Sequence, residues 1–384
     1  MFRMIVMTRF ICLIFLLLSN VAFSKHSSKE ATDALLAQLS TTREEIEKES
    51  LEWEKGFVHY LIDDADPNVQ LLGYYKQLSD VKFDDNEKLA SVGVELNLIL
   101  SSNQLDKKSI STLTEICSYD KLRTFCDQEA IFAKQLQSMP DNAFIYLSSL
   151  SQAIKDDNQK GITQAIDDMA DSKYFITFYY LHQEYRIKLE EYVKTHPFPK
   201  NKLAMERLEV NRYMCCNKID TIDEMQDIMI HIRVLGAKMA ESIPAYRDLT
   251  QVCLNDLSQE KSCLKLAELL ITQSKSIISA RIGYAIKINI FKQKGEKEKL
   301  QQATEDKTNY TKHYECLVDI MNYGKTALSS KGAEFNKIAE PIERKYGEVA
   351  YYDSLAQSNY NYYSNLGDTE INNPNNCISP QSSN

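Results

Sequence analysis

The residues best suited to chemistry are few, and they do not converge. Two imidazole–carboxylate pairs stand four residues apart, His59 with Asp63 and Asp227 with His231. That spacing puts both side chains of a pair on one helical face, where they would relay a proton or share a metal ion. The chain has six histidines in all and no third ligand near either pair, so hydrogen-bonded surface or half-buried pairs are expected, not a metal site. Gly324-Lys325-Thr326 has the ending of a phosphate-binding loop, but Asp319 stands where that loop needs its first glycine, and no strand precedes it. A turn is expected there. There is no Gly-x-Ser-x-Gly. The sequence therefore assigns no catalytic, cofactor-binding or metal-binding residue, and no cofactor is expected.

Cysteine is the residue type whose spacing carries information. Cys12 lies in an N-terminal apolar run; the other eight are Cys117, Cys126, Cys215, Cys216, Cys253, Cys263, Cys316 and Cys377. An even number in an exported chain points to disulfides, and zinc is disfavoured because no Cys-x-x-Cys occurs. Eight residues separate Cys117 from Cys126 and nine separate Cys253 from Cys263. Such a gap lets one helix end, turn and start the next, which brings two Cα atoms within the roughly 4.4–6.8 Å a disulfide needs. Cys117–Cys126 and Cys253–Cys263 are the expected bonds. A bond between the neighbours Cys215 and Cys216 closes a strained ring, so at least one of them is expected to reach Cys316 or Cys377. Spacing leaves the three pairings of these four open.

The export inference rests on the N-terminus. Arg3 and Arg9 form a basic region, Phe10 to Leu18 a short apolar core, and Ala22-Phe23-Ser24 a small-residue cleavage site before Lys25. A membrane anchor needs about 20 apolar residues, and this run stops at Ser19-Asn20. Residues 1–24 are thus expected to be a signal peptide, with the mature chain periplasmic or secreted and without a membrane span. The net charge is −9, and −11 without Arg3 and Arg9. Nucleic acid and anionic membrane surfaces are poor partners for such a chain.

The elements that would position these residues read as all-α. The chain has only 11 Gly and 8 Pro, a thin supply of turn residues for a sheet protein. Pro67, Pro140, Pro197, Pro199, Pro244 and Pro341 are expected at helix ends. Met225, Ile228, Met229, Ile232, Leu235, Met239 and Ile243 recur at steps of three and four behind a capping box, Thr221 with Glu224. Thr41 and Glu44 predict a similar start for a helix carrying Ile46, Leu51, Trp53 and Phe57. The aromatic-rich run Tyr174 to Val193 could begin as a strand, but its length without Gly or Pro favours helix. Residues 366–384, rich in Asn, Ser and Pro, are expected to be disordered, with Cys377 able to pin part of them.

Laying Cys126 on Cys263 aligns more than cysteines. Ala130 falls on Ala267, and an amphipathic helix follows each cysteine, through Leu136 in one case and Leu269 and Leu270 in the other. A second apolar helix comes next, Ala143 to Ile154 or Ile277 to Phe291. The breakers Asp156-Asp157-Asn158 and Lys294-Gly295 are followed by a short helix, Ile162 to Met169 or Leu300 to Ala303. One unit is expected twice, over 109–172 and 245–305, about 137 residues apart.

Pro140-Asp141-Asn142 leading into a helix, the polar Asp-Asn turn, and Ala165-Ile166 in a second helix resemble degenerate tetratricopeptide-like (TPR-like) repeats. With the Cys-x8-9-Cys before such a pair, the chain is similar to exported bacterial helical-repeat proteins of no assigned function. The likeness runs from about Ser109 to Tyr352. It implies an α-solenoid of antiparallel hairpins and binding of a partner, and it carries over no catalytic residue. The expected organisation is a signal peptide over 1–24, a helical segment over 25–104, the repeat region over 105–365 and the tail over 366–384. The expected role is a protein-interaction scaffold, with protein as partner. The alternative is a cell-envelope hydrolase or lyase on a helical solenoid. Glu241-Ser242 ahead of Pro244 is similar to the catalytic Glu-Ser of lytic transglycosylases, but Tyr246 to Leu257 follows in place of their Gly-Leu-Met-Gln-like segment, and a helix end is expected. Two carboxylates with raised pKa values in one pocket would mark the enzyme. The 22 tyrosines, crowded at Tyr346, Tyr351, Tyr352, Tyr360, Tyr362 and Tyr363 and around Tyr174 to Tyr185, are expected to fill the core.

Overall fold

The computed structural model describes residues 42–80, 86–118, 121–176, 181–213, 219–240, 246–255 and 257–377. The segment 1–24 expected as a signal peptide, Glu241-Ser242, Cys215 and Cys216 lie outside the described residues. Sixteen α-helices and no strand occur among the described residues, so the chain is all-α. In order they are α1 (Arg43–Ile62), α2 (Pro67–Asp80), α3 (Asn86–Ser101), α4 (Lys107–Ser118), α5 (Gln128–Ser138), α6 (Leu147–Lys155), α7 (Gln159–Asp171), α8 (Leu181–Thr195), α9 (Lys200–Tyr213), α10 (Ile222–Ala240), α11 (Tyr246–Asn255), α12 (Glu260–Thr272), α13 (Ile277–Lys294), α14 (Lys297–Asn322), α15 (Ser330–Tyr346) and α16 (Glu348–Asn365).

The helix starts follow local chemistry. Thr221 Oγ1 accepts from Glu224 N at 3.1 Å, and the Glu224 carboxylate accepts from Asp220 N at 3.2 Å. At α1 the reciprocal box is made by Thr42 and Glu45, one residue later than Thr41 and Glu44. The two hydrogen bonds from Thr42 hold the Glu45 carboxyl below its usual range. Of the apolar residues that α1 carries, Ile46 and Phe57 are buried and Leu51 is 52 % exposed. In α10 the buried face is Met225, Ile228, Met229, His231 and Val234, with Ile232 and Leu235 half-buried.

Two compact units divide the chain. The first comprises 1–56 and 193–226. Within it Trp53 stacks on Phe198 with ring centroids 4.3 Å apart, and its Nε1 donates to the His196 carbonyl at 2.8 Å. Asn211 grips Ile219 by both main-chain groups, accepting from its N–H at 2.7 Å and donating to its carbonyl at 2.9 Å.

The second unit comprises 57–192 and 227–384. The boundary expected at 104/105 does not separate compact units. Leu71, Leu89, Leu96 and Leu100 of α2 and α3 share one apolar cluster with Leu113, Ile116, Leu122 and Ile131. Two segments of this unit run through the same order of α-helices, the first with an additional 3-10 turn (Ala143–Tyr146) ahead of α6. α4, a 3-10 turn (Arg123–Phe125), α5, α6 and α7 match α11, a 3-10 turn (Leu257–Gln259), α12, α13 and α14. Cys117 is bonded to Cys126 and Cys253 to Cys263, with Cα atoms 5.8 and 5.5 Å apart. Even the turn closing the third helix is built alike. Asp157 (φ 49°) and Gly295 (φ 71°) are left-handed, and the next N–H, of Asn158 or Glu296, reaches back to the Ala153 or Phe291 carbonyl at 2.9 or 3.0 Å. The second segment ends in the 26-residue α14, not the short helix expected at Leu300 to Ala303.

The two segments pack directly on each other. α7 lies against α12, where Ser262, Gln259 and Lys265 bond to Asp167, Thr163 and Asp171. Phe144, Leu150, Ile166, Leu249, Leu266 and Ile290 share a single apolar cluster. The run expected as helix from Tyr174 begins extended. Tyr174 and Phe175 form isolated bridges to Asn142 and Ser274, and fully buried Asn142 both accepts from and donates to the main chain of Ile176. These contacts hold 174–176 away from helix, and the described helix starts at Leu181.

Two further expectations are corrected. Pro341 lies inside α15 instead of at an end, and ion pairs from Glu340 and Glu343 tie that stretch to neighbouring helices. Residues 366–377 are ordered, because Cys316 is bonded to Cys377 and Ile371 and Pro374 are buried. That bond also leaves neither Cys316 nor Cys377 for Cys215 or Cys216.

Candidate functional site

The largest concentration of chemistry-bearing side chains lies where α8, α10, α15 and α16 meet within the second unit. The amphipathic pattern of α8 places His182 and Arg186 one turn apart on a buried face, 1 % and 6 % exposed. α15 offers Asn336, Glu340 and Glu343, spaced by four and three residues, on its own buried face. Lys238 comes from α10, and Glu348 and Tyr351 from the first turn of α16.

Each charge in the group is matched. Arg186 binds Glu340 through both arms of its fork, Nε to Oε2 at 2.9 Å and Nη2 to Oε1 at 2.6 Å. Lys238 Nζ donates to Glu343 Oε1 at 2.6 Å, and His182 Nε2 lies 3.4 Å from Glu343 Oε2. Lys238 also sits 3.5 Å from the centre of the Tyr351 ring, whose hydroxyl donates to Asn336 Oδ1. Asn336 Nδ2 in turn donates to the Gly332 carbonyl at 2.8 Å and lies 3.5 Å from His231 Nε2.

Two carboxyls here are displaced in opposite directions. Burial pushes Glu343 upward, but the His182 contact and the Lys238 charge outweigh it and hold the group below its usual range. Burial dominates at Glu348 and raises it, although Ile277 N donates to its Oε2 at 2.6 Å at the start of α13. Gly347 (φ 94°) makes that approach possible, since a Cβ there would meet the Lys275 carbonyl at 2.7 Å. Burial also raises the Tyr351 and Tyr352 phenols.

Chemically, this is a set of clamps. The two raised carboxylates that would mark an enzyme are not brought together, because only Glu348 of the pair is raised. A cavity of about 30 Å³ that shares Asn336 with this group is also lined by Asn359 and Leu355, and it is far below the hundreds of Å³ of a substrate pocket.

The residues singled out from the sequence are scattered. His59 and Asp63 are both exposed at the end of α1; Asp227 is exposed while its expected partner His231 is fully buried. Gly324 and Thr326 sit in a 3-10 turn, where Thr326 Oγ1 donates to the Tyr363 hydroxyl at 3.1 Å. Among the described residues, no group of three or more His, Cys, Asp or Glu is placed to hold a metal ion, and no helix is long and apolar enough to cross a membrane. Tyr351 is buried, Tyr352, Tyr362 and Tyr363 are half-buried in ring contacts, and Tyr360 is half-buried against an apolar cluster, whereas Tyr346 is 61 % exposed. Sequence reading missed His182, Arg186, Lys238, Glu340 and Glu343. The available signal was charge at i,i+4 and i,i+3 on faces otherwise apolar.

Comparison of the chain with models of known families, with curated proteins and with solved structures found no match.

Proposed function

We propose that this chain is an exported helical-repeat protein of the periplasm or the cell exterior that binds another protein. The observation that carries the reading is the pair of disulfide-clipped segments, alike in α-helix order and closing turn, packed on each other through α7 and α12. Stacked helical units of this kind present extended surfaces whose use is binding. Three disulfides support an oxidising compartment, as does the order of basic, apolar and small residues before Lys25. The surface we assign to the partner is the outer face of α3. Val94 and Leu98 stand one turn apart there, 59 % and 60 % exposed, as an apolar pair on a helix held by the first clipped segment.

The test is cross-linking in the cell envelope followed by recovery of the oxidised protein. A specific partner that is captured by the wild type and lost with Val94→Glu/Leu98→Glu supports the reading. Equal capture by both proteins removes α3 as the binding face. An intact Met1 on protein found in the cytoplasm removes export.

A further inference from the structure

We infer that the cavity between the C-terminal helices binds one internal water molecule, held by Asn359, which joins two polar clusters into a continuous seam. The space is about 30 Å³ and is lined by apolar Met321, Phe335 and Leu355 and by polar Thr326, Asn336 and Asn359. A buried water needs about 10–15 Å³ and two to four polar partners, and the cavity meets both conditions.

Asn359 sets the requirement. It is 1 % exposed, and its Nδ2 donates to the carbonyls of Ile320 at 2.8 Å and Tyr323 at 3.0 Å, capping the C-terminal end of α14. These bonds fix which way the amide faces. Its Oδ1 is then left as a buried acceptor, and no described protein group donates to it. A buried carbonyl oxygen without a donor is unfavourable, and such groups are almost always satisfied by protein or ordered water.

Two other residues of the lining offer further acceptors. Thr326 Oγ1 directs its single proton to the Tyr323 carbonyl or the Tyr363 hydroxyl and keeps its lone pairs. Asn336 Oδ1 accepts from Tyr351 and has a second lone pair. A lining of acceptors in a space of this size calls for a neutral molecule of one heavy atom with two protons to give. Water fits. Bound there, it would connect the series His182, Glu343, Lys238, Tyr351 and Asn336 to the Asn359 cap of α14.

A high-resolution crystal structure of the oxidised mature protein tests this, together with water–proton cross-relaxation at the Asn359 side-chain amide in solution. The expected result is one ordered solvent peak within about 2.6–3.2 Å of Asn359 Oδ1, present in the wild type and lost in Asn359→Leu. If Asn359→Leu does not fold, the wild-type crystal structure and the cross-relaxation measurement decide. An empty cavity in the wild type, a protein N–H on Asn359 Oδ1, or a peak that persists unchanged in Asn359→Leu overturns the inference.

Discussion

Between the clipped segments, the packed faces are apolar, with Ile166, Leu249, Leu266 and Leu270 fully buried and polar bonds confined to the margin of α7 and α12. Where α8, α10, α15 and α16 meet, the buried faces instead carry Arg186, Glu340, Lys238, Glu343 and His182. An apolar face tolerates many partners of similar shape, and its energy scales with area. A matched set of buried charges contributes little net stability but penalises any pairing that leaves one charge alone. α7 and α12, whose bonded residues Asp167 and Ser262 are 95 apart in sequence, pack through the first kind of surface. α8 and α15, whose paired residues Arg186 and Glu340 are 154 apart in sequence, pack through the second.

The largest effect should come from breaking that match. Arg186→Met leaves Glu340 buried and unpaired and should cost about 3–5 kcal/mol, while Arg186→Met/Glu340→Leu should recover most of it. Leu266→Ala, in the apolar region, should cost about 2–5 kcal/mol with no such rescue available. Urea denaturation of the four proteins, wild type included, measures both. A double variant no more stable than Arg186→Met would show that the pair does not act as a matched charge.

Next come the disulfides. In a chain-entropy account, losing Cys316–Cys377, which spans 61 residues, should cost about 4 kcal/mol, and losing Cys253–Cys263, which spans 10, about 3 kcal/mol. Thermal unfolding of Cys377→Ser/Cys316→Ser and Cys253→Ser/Cys263→Ser should rank them in that order.

The pH response should be smaller and of two signs. Glu343 lies below its usual value of 4.5, so its stabilisation is complete above that pH and is lost as pH falls through its lowered value. Glu348 lies above 4.5, so it opposes folding as pH rises from 4.5 through its raised value. Glu343→Gln should flatten the loss of Tm in acid, and Glu348→Gln should remove the decline on the way up from pH 4.5. The smallest effect on stability should be that of Val94→Ser/Leu98→Ser, within about 0.5 kcal/mol because both side chains are exposed.

What could be read in the sequence was what is local. The helical period, the Thr221–Glu224 box and the breakers at Asp156-Asp157-Asn158 and Lys294-Gly295 all act within a few residues, and each marks an element boundary in the fold. The position of α1's box slipped by one because Thr41-Thr42 and Glu44-Glu45 offer two registers to the same chemistry. The charged seam could not be read, because nothing in α8 states which helix will carry the acid for Arg186. Pro341 was misplaced for a related reason. An interior proline costs about 3 kcal/mol in an isolated helix, and only contacts from distant helices can offset that. The tail misled through its composition, since one disulfide and two buried side chains, Ile371 and Pro374, are enough to order it to Cys377.

Disulfide mapping of protein recovered from the cell envelope, by non-reducing proteolysis and mass spectrometry, tests the account most directly. It predicts three bonded pairs, Cys117 with Cys126, Cys253 with Cys263 and Cys316 with Cys377. Cys117 linked to Cys253, or free thiols at all four clip positions, would contradict both the two clipped segments and the export on which the proposed function rests.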